Sequence, residues 1–402
     1  MFSHLNMQRY RDRFYCSPPG ISLRQFYGMG NTYDIKSWIG NQNVFFYHKA
    51  KVAIKSAFNI LELPKGSEVL VPSYNGGGEL DAIIKSGVSV IPYRIDQSAT
   101  VDITDLQRRI TRKTKVIFVI HYFGFPQPII PIKQLCMENK LFLIEDCALS
   151  LLSDYKKNKL GSFGDISLFS FPKTLPLPDG GALVINNSFL KRNIINNKCQ
   201  NDLLMFRKCL PLLKSGILRT LSQKSIFYPL YKGIAFLLRI RELLPKEKIA
   251  YSGTRPLLPS RLMHNEQEND QAMSSISMRI LKTFDMDQIK RRRRQNYCHL
   301  LNRFSGLDGI KPLFKELPEG ICPINFPIIV KDRESLREKL AQRSIDVGAW
   351  WKGYHPNFPY NDFPDACFLK DNILTLPIHQ DLDENGIEYI AAELISLVKE
   401  QG

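Results

Sequence analysis

Between Val44 and Asn187, short runs of β-branched and aromatic residues alternate with helix-like stretches, and this rhythm constrains the fold more than any other feature of the 402-residue chain. The runs are Glu68–Val71, Val88–Tyr93, Val116–Tyr122, Phe142–Glu145, Ile166–Ser170 and Ala182–Ile185, and the helical patterns include Ala50–Leu61, Gly78–Lys85 and Ile132–Asn139. Strands separated by covering helices form a largely parallel sheet. Sheets of that kind put their ligands at the carboxyl ends of the strands. Chemistry is therefore expected in the residues just after each run.

The remainder divides by character. Residues 1–43 read as an N-terminal segment, 44–260 as a large domain with a basic, leucine- and isoleucine-rich insertion at about 190–260, and 261–402 as a long connecting helix followed by a smaller α+β domain. One helix is predicted from about Ser274 to Phe304. Beyond it, strands are expected at Ile324–Val330 and Asn372–Pro377, with helices at Glu334–Arg343 and Asn385–Glu400, the last capped by Asp381 or Asp383. Within the insertion, Phe227–Leu238 fits an amphipathic helix that either packs on protein or makes peripheral membrane contact.

A net charge of +16 points to an anionic partner. The densest basic run, Lys290–Arg294, sits in the long helix, where a solvated face is the plainer account than nucleic-acid contact. No uncharged apolar run is long enough to span a bilayer, and Met1–Arg13 lacks the apolar core of a signal peptide, so a cytoplasmic protein is expected. The eight cysteines form no CxxC pair and the histidines do not fall at ligand spacing, so no metal is predicted.

The stretch Phe169-Ser170-Phe171-Pro172-Lys173, followed by Asp179-Gly180-Gly181, places a lysine just past a strand end. A lysine that forms a Schiff base must reach a cofactor aldehyde from such a position, and Ser170 is suited to donate to a phosphate. Upstream, Phe142-Leu143-Ile144-Glu145-Asp146 ends a buried-looking strand in two carboxylates. Pyridoxal 5'-phosphate (PLP) needs an acidic partner for its pyridine nitrogen, and Asp146 could supply it, although capping a helix in the strand-to-helix turn is the alternative. Glu145 reads as a contact to the adjoining loop.

The ordered set Pro72-Ser73-Tyr74, His121-Tyr122-Phe123-Gly124, Glu145 to Ala148, Gly161 to Asp165, Phe169 to Phe171, Lys173 to Gly181 and Leu374 to His379 resembles the DegT/DnrJ/StrS aminotransferases. The resemblance implies an aspartate-aminotransferase-like α/β fold (PLP fold type I) and transfer of an amino group, usually from glutamate, to a nucleotide-linked keto-sugar in polysaccharide or secondary-metabolite synthesis. It implies Lys173 as the cofactor lysine and proton carrier, Asp146 as the pyridinium partner, Ser170 as a phosphate contact, and a homodimer that uses no nucleic acid. Tyr74 is the ring-stacking candidate. The first phosphate-binding turn falls at Ala50-Lys51, where Lys51 either adds charge or is a solvated helix residue.

Several positions depart from that pattern. Leu149 stands where a glutamine is usual, Asn75-Gly76-Gly77-Gly78 follows Tyr74, Ser170 and Lys173 are two residues closer than the norm, and the Asn-x-Arg-Met-Ser segment is not recognisable near Met273-Ser274. Sugar dehydration and a catalytically inactive binding protein are the competing readings. The known dehydratase variants replace the lysine by histidine, and Lys173 is retained here.

Overall fold

The computed structural model describes residues 19–40, 43–190, 198–199, 202–223, 251–252, 255–256 and 271–400. Its centre is a mixed sheet built from β1 (Val44–Tyr47), β2 (Glu68–Pro72), β3 (Ser89–Tyr93), β4 (Thr114–Ile120), β5 (Phe142–Asp146), β6 (Ile166–Ser170) and β7 (Gly181–Ile185). The spatial order is β3-β2-β4-β5-β6-β7-β1, with the two-residue strands Gln271–Ala272 and Lys198–Cys199 beyond β1. From β3 through β6 every pairing is parallel, whereas β7 runs antiparallel to both β6 and β1.

The strand sequences explain how the sheet is covered. Side chains alternate faces along a strand, and both faces here are apolar, as a sheet with helices on each side requires. Ile166 and Leu168 of β6 and Leu183 and Ile185 of β7 join the larger core, while Phe169, Ala182 and Val184 face a second core with Ile21, Met205, Met273, Ile280 and Met286. Helix α1 (Ala50–Leu61) buries Ala53, Ala57, Phe58 and Ile60 and packs on β6 and β7. It stops at Glu62, which takes a left-handed φ of 45° two residues before Pro64.

Further along come α2 (Gly78–Ile84), α3 (Ile103–Arg108), α4 (Ile129–Asn139) and α5 (Asp202–Gln223). The C-terminal α+β part has an antiparallel sheet of β8 (Lys311–Pro312), β9 (Phe326–Ile329) and β10 (Ile373–Leu376). The larger core runs without interruption from Val69 and Ile117 of the main sheet into Phe326, Leu374 and Leu394 of this part.

The single helix expected over Ser274–Phe304 is two helices, α6 (Ser275–Leu281) and α7 (Met286–Phe304). Asp285 causes the break. Its side chain accepts from the Gln288 N–H at 2.9 Å and restarts the helix as an N-cap. Three further helices are α8 (Arg333–Gln342), α9 (Pro364–Asn372) and α10 (Glu384–Lys399), with Asp383 rather than Asp381 capping α10 through the Gly386 N–H at 2.8 Å.

The basic run Lys290–Arg294 is not a uniformly solvated face. Arg293 is buried and donates to the Ile324 carbonyl at 2.7 Å, Arg294 donates to the carbonyls of Pro318 and Ile321, and Lys290 pairs with Asp154. Arg291 and Arg292 are exposed. Phe227–Leu238 lies outside the described residues. Among those residues, no helix is long and apolar enough to cross a membrane.

Candidate active site

Strand register brings the chemistry-bearing residues together. Ile120 pairs with Asp146, Asp146 with Leu168, and Ser170 with Gly181, so β4, β5 and β6 end side by side. Past Ser170 the chain makes one 3-10 turn, Phe171–Lys173, opened by Pro172 and closed by Thr174 N–H donating to the Phe171 carbonyl at 3.0 Å. Lys173 is thereby displayed just beyond the strand end. Its side chain is exposed in the single chain, and its Nζ lies 5.9 Å from the centre of the Trp350 ring.

Asp146 is buried at the end of β5. Its Oδ1 accepts from the Ala148 N–H at 2.8 Å in a local turn rather than capping an α-helix, and its Oδ2 takes no hydrogen bond from the described residues. Burial pushes its carboxyl up to about 6. The nearby Lys173 charge pulls it back down, and Glu79 pushes it further up. Lys173 and Asp146 therefore share one electrostatic environment.

Ser170 and the start of α1 converge through a pair of glycines. Gly181, opposite Ser170, lies so close to α1 that a Cβ there would come within 2.6 Å of the Ala50 nitrogen. Gly180 has a φ of 136°, which a side chain would oppose. Ser170 Oγ makes no hydrogen bond to the described residues, and the first-turn amide of Ala50 has no carbonyl a turn earlier in its helix. Lys51 follows in the same turn, half-buried.

The glycine pair is held from behind. Asp179 accepts from Ser274 N–H at 2.9 Å, Ser274 Oγ at 2.7 Å and Ser277 Oγ, and its Oδ2 lies 3.1 Å from His48 Nδ1. Burial alone would raise its carboxyl, but the bonds from His48, Ser277 and Ser274 outweigh it and hold it below the usual carboxylate range. Glu145, buried beside Asp146, accepts from the N–H groups of Gly161, Phe163 and Gly164 at 3.0, 2.7 and 2.5 Å. It also meets His121 Nε2 at 3.0 Å, and His121 Nδ1 accepts from Gln127 N–H. This is the loop contact read from the sequence. The ligand atoms of His121, Glu145 and Cys147 lie within 4.8 Å of one another, but the His121 and Glu145 atoms are already committed to these hydrogen bonds.

Tyr74 is fully buried. Its ring lies 5.1 Å from Tyr122 and 4.9 Å from Trp351, and its hydroxyl donates to the Trp350 carbonyl at 3.3 Å. Sequence reasoning missed Trp350, Trp351, Glu79 and Arg293. One signal was present for Arg293, which occupies the same helical stripe as Ile289, Tyr297, Leu300 and Phe304.

Residues 33–202 match the sequence pattern of the DegT/DnrJ/EryC1/StrS aminotransferase family. Over that stretch the chain resembles this family. The GDP-perosamine synthase of Vibrio cholerae is 35% identical over 151 residues, which is 37% of this chain and 40% of that protein. The chain thus spans about two-fifths of that relative's length. The dTDP-4-dehydro-2,3,6-trideoxy-D-glucose 4-aminotransferase of Saccharopolyspora spinosa is 25% identical over 381 residues, covering 89% of this chain and 85% of the relative. Among solved structures, Spr1654 of Streptococcus pneumoniae in its PLP form superimposes with a TM-score of 0.64 at 16% identity, covering 100% of this chain and 97% of that one. The likeness is one of fold, and the fold is aspartate-aminotransferase-like.

Proposed function

We propose that this chain is a PLP-dependent aminotransferase that moves an amino group from an amino acid, with glutamate the expected donor, to a keto-sugar linked to a nucleotide. The observation that carries the reading is the placement of the Lys173 amine and the Asp146 carboxylate at adjoining strand ends, close enough for one charge to alter the ionisation of the other. The activities of the Vibrio and Saccharopolyspora relatives support the substrate class.

The residues present fit the cofactor. Lys173 would carry it covalently, Asp146 Oδ2 would accept from its pyridine nitrogen, and Ser170 Oγ with the first turn of α1 at Ala50 and Lys51 would hold its phosphate. When bound, PLP supplies an electron-withdrawing ring that stabilises negative charge on the carbon bearing the amine. Asp146, ionised above pH ~6, holds a proton on the ring nitrogen and so keeps that capacity. The Lys173 amine would take and return the proton moved at the substrate carbon. Trp350 faces Lys173, and Trp351 packs on Tyr74, so both stand on the side of the C-terminal part. Lys173 remains exposed in one chain, and a homodimer supplies the missing cover.

The test is direct. Purified protein should show the visible absorbance of bound PLP, and Lys173→Ala should abolish it. Wild-type protein incubated with glutamate and a nucleotide-linked keto-hexose should give a product whose mass reports exchange of oxygen for an amine. A colourless protein that stays colourless with added PLP removes the cofactor assignment, and a product that has lost water without gaining nitrogen removes transamination.

A further inference from the structure

The Trp350 indole is held in place on several sides. Its Nε1–H donates to the side-chain oxygen of Asn325 at 3.2 Å, its carbonyl accepts from Tyr74 Oη, and the Phe123 ring meets it nearly perpendicular at 6.1 Å. A Cβ on Gly348 would come within 2.7 Å of its nitrogen, so the indole is packed tightly against that backbone. The residue is only partly buried, and the Nζ of Lys173 lies over its ring, 5.9 Å from the centre. A rigid aromatic face beside the reacting amine is neither a core residue nor a mobile surface group.

Resting on the function proposed above, we infer that Trp350 is the platform on which the ring of the acceptor sugar stacks, and that it selects acceptors presenting an apolar C–H face next to the carbonyl carbon. The reacting carbonyl carbon belongs to the sugar ring, so an indole this near Lys173 lies within reach of that ring. The nucleoside is set beyond this reach by the intervening diphosphate. An aromatic face attracts the partly positive C–H edges of a pyranose as it does the edge of another ring. Glutamate, acyclic and charged at both ends, offers no such face. Trp350 therefore acts more on the acceptor half of the cycle than on the donor half.

The test uses full-length holoprotein and needs no turnover for its first arm. Calorimetric titration with GDP-mannose, dTDP-glucose and UDP-N-acetylglucosamine, each beside its parent nucleotide, gives the affinity contributed by the sugar. For the best-bound pair, Trp350→Ala should lose roughly tenfold in nucleotide-sugar affinity, Trp350→Phe should keep most of it, and neither should alter binding of the nucleotide alone. The second arm mixes each variant with glutamate and follows the visible spectrum, where the PLP band is retained and any loss of rate is smaller than the loss in nucleotide-sugar affinity, because the donor offers the indole no apolar ring face. That result also shows that the variants are folded. Equal losses for nucleotide and nucleotide-sugar, or an unchanged sugar contribution in Trp350→Ala, overturn the inference. A wild type that reacts with glutamate but gains nothing from any sugar overturns it while leaving an aminotransferase. A wild type without the PLP band brings down the underlying reading, and this one with it.

Discussion

The Nη2 of Arg293 donates to the carbonyl oxygen of Thr174 at 2.8 Å, so a guanidinium buried in α7 fastens the backbone immediately after Lys173. The same side chain reaches the Ile324 carbonyl through Nη1 and Gln380 Oε1 through Nε, and burial lowers its ionisation to about 10. Replacing Arg293 with Met leaves two buried carbonyls without their donor, each costing about 1–3 kcal/mol. Urea denaturation of Arg293→Met should therefore show a loss of roughly 3 kcal/mol or more, together with weaker retention of PLP. Lysine cannot reproduce three donors in a planar fork, so Arg293→Lys should recover only part of this. Near-wild-type stability in both variants would contradict the fastening role.

How much of this was readable beforehand depended on the distance along the chain between partners. The strand β6, Ile166–Ser170, and the helix α1, Ala50–Leu61, match their expected limits because each is set by a local apolar pattern and local stop residues. Lys173, Asp146 and Ser170 were picked out because their order and spacing lie within short segments. The break at Asp285 was also locally encoded, as an aspartate three residues before Gln288, but the apolar pattern on either side masked it. The contacts of Arg293 with Thr174 and of Trp350 with Lys173 join distant segments. Only tertiary packing creates them, and no periodicity reports them. Tyr74 was expected as a stacking partner for a ligand, whereas its ring packs on Tyr122 and Trp351.

Asp146 gives a pH signature in cofactor-free protein. Burial pushes its carboxyl up to about 6 from the ordinary 3.8, so the folded state holds the proton more tightly. The contribution of this group to stability is then highest below pH ~4, falls as pH rises to ~6, and stays reduced above that, by roughly 3 kcal/mol in full. Asp146→Asn removes the ionisation. Without PLP it should be more stable than wild type near neutral pH and equal to it near pH 4, as read from urea midpoints, while failing to retain PLP. A variant less stable than wild type at neutral pH would mean that the carboxylate is compensated by groups not accounted for.

Gly181 is predicted to be intolerant of even one added methyl. A Cβ there would sit 2.6 Å from Ala50 N and 2.7 Å from the Lys49 carbonyl carbon, both backbone atoms that cannot swing aside. Relieving the overlap pushes the start of α1 away from Ser170 and opens the phosphate cradle. Gly181→Ala should lower stability by about 1–3 kcal/mol and weaken PLP binding at least tenfold, measured by dialysis against graded PLP. An unchanged PLP affinity would separate this turn from the phosphate.

Lys370, fully buried in α9, provides the strongest pH test. Its Nζ donates to the Asn75 carbonyl at 2.8 Å and lies 4.9 and 5.1 Å from the rings of Tyr360 and Tyr354, which ties the C-terminal part to the loop after Tyr74. Burial pushes the amine down to about 7, against the pull of Glu79, Cys367 and Asp371, with Arg333 adding to the depression. An unfolded lysine keeps its proton to about 10.5, so between pH ~7 and ~10 the unfolded state binds more protons and stability rises with pH, by up to roughly 5 kcal/mol. Lys370→Met keeps the stem and loses both the charge penalty and the hydrogen bond to Asn75. The variant should therefore be more stable than wild type near pH 6 and less stable near pH 10, with the two curves crossing in between. Parallel curves across that range would mean that Lys370 keeps its proton in the folded protein, and that the tyrosine rings and Glu79 stabilise the charge more than burial opposes it.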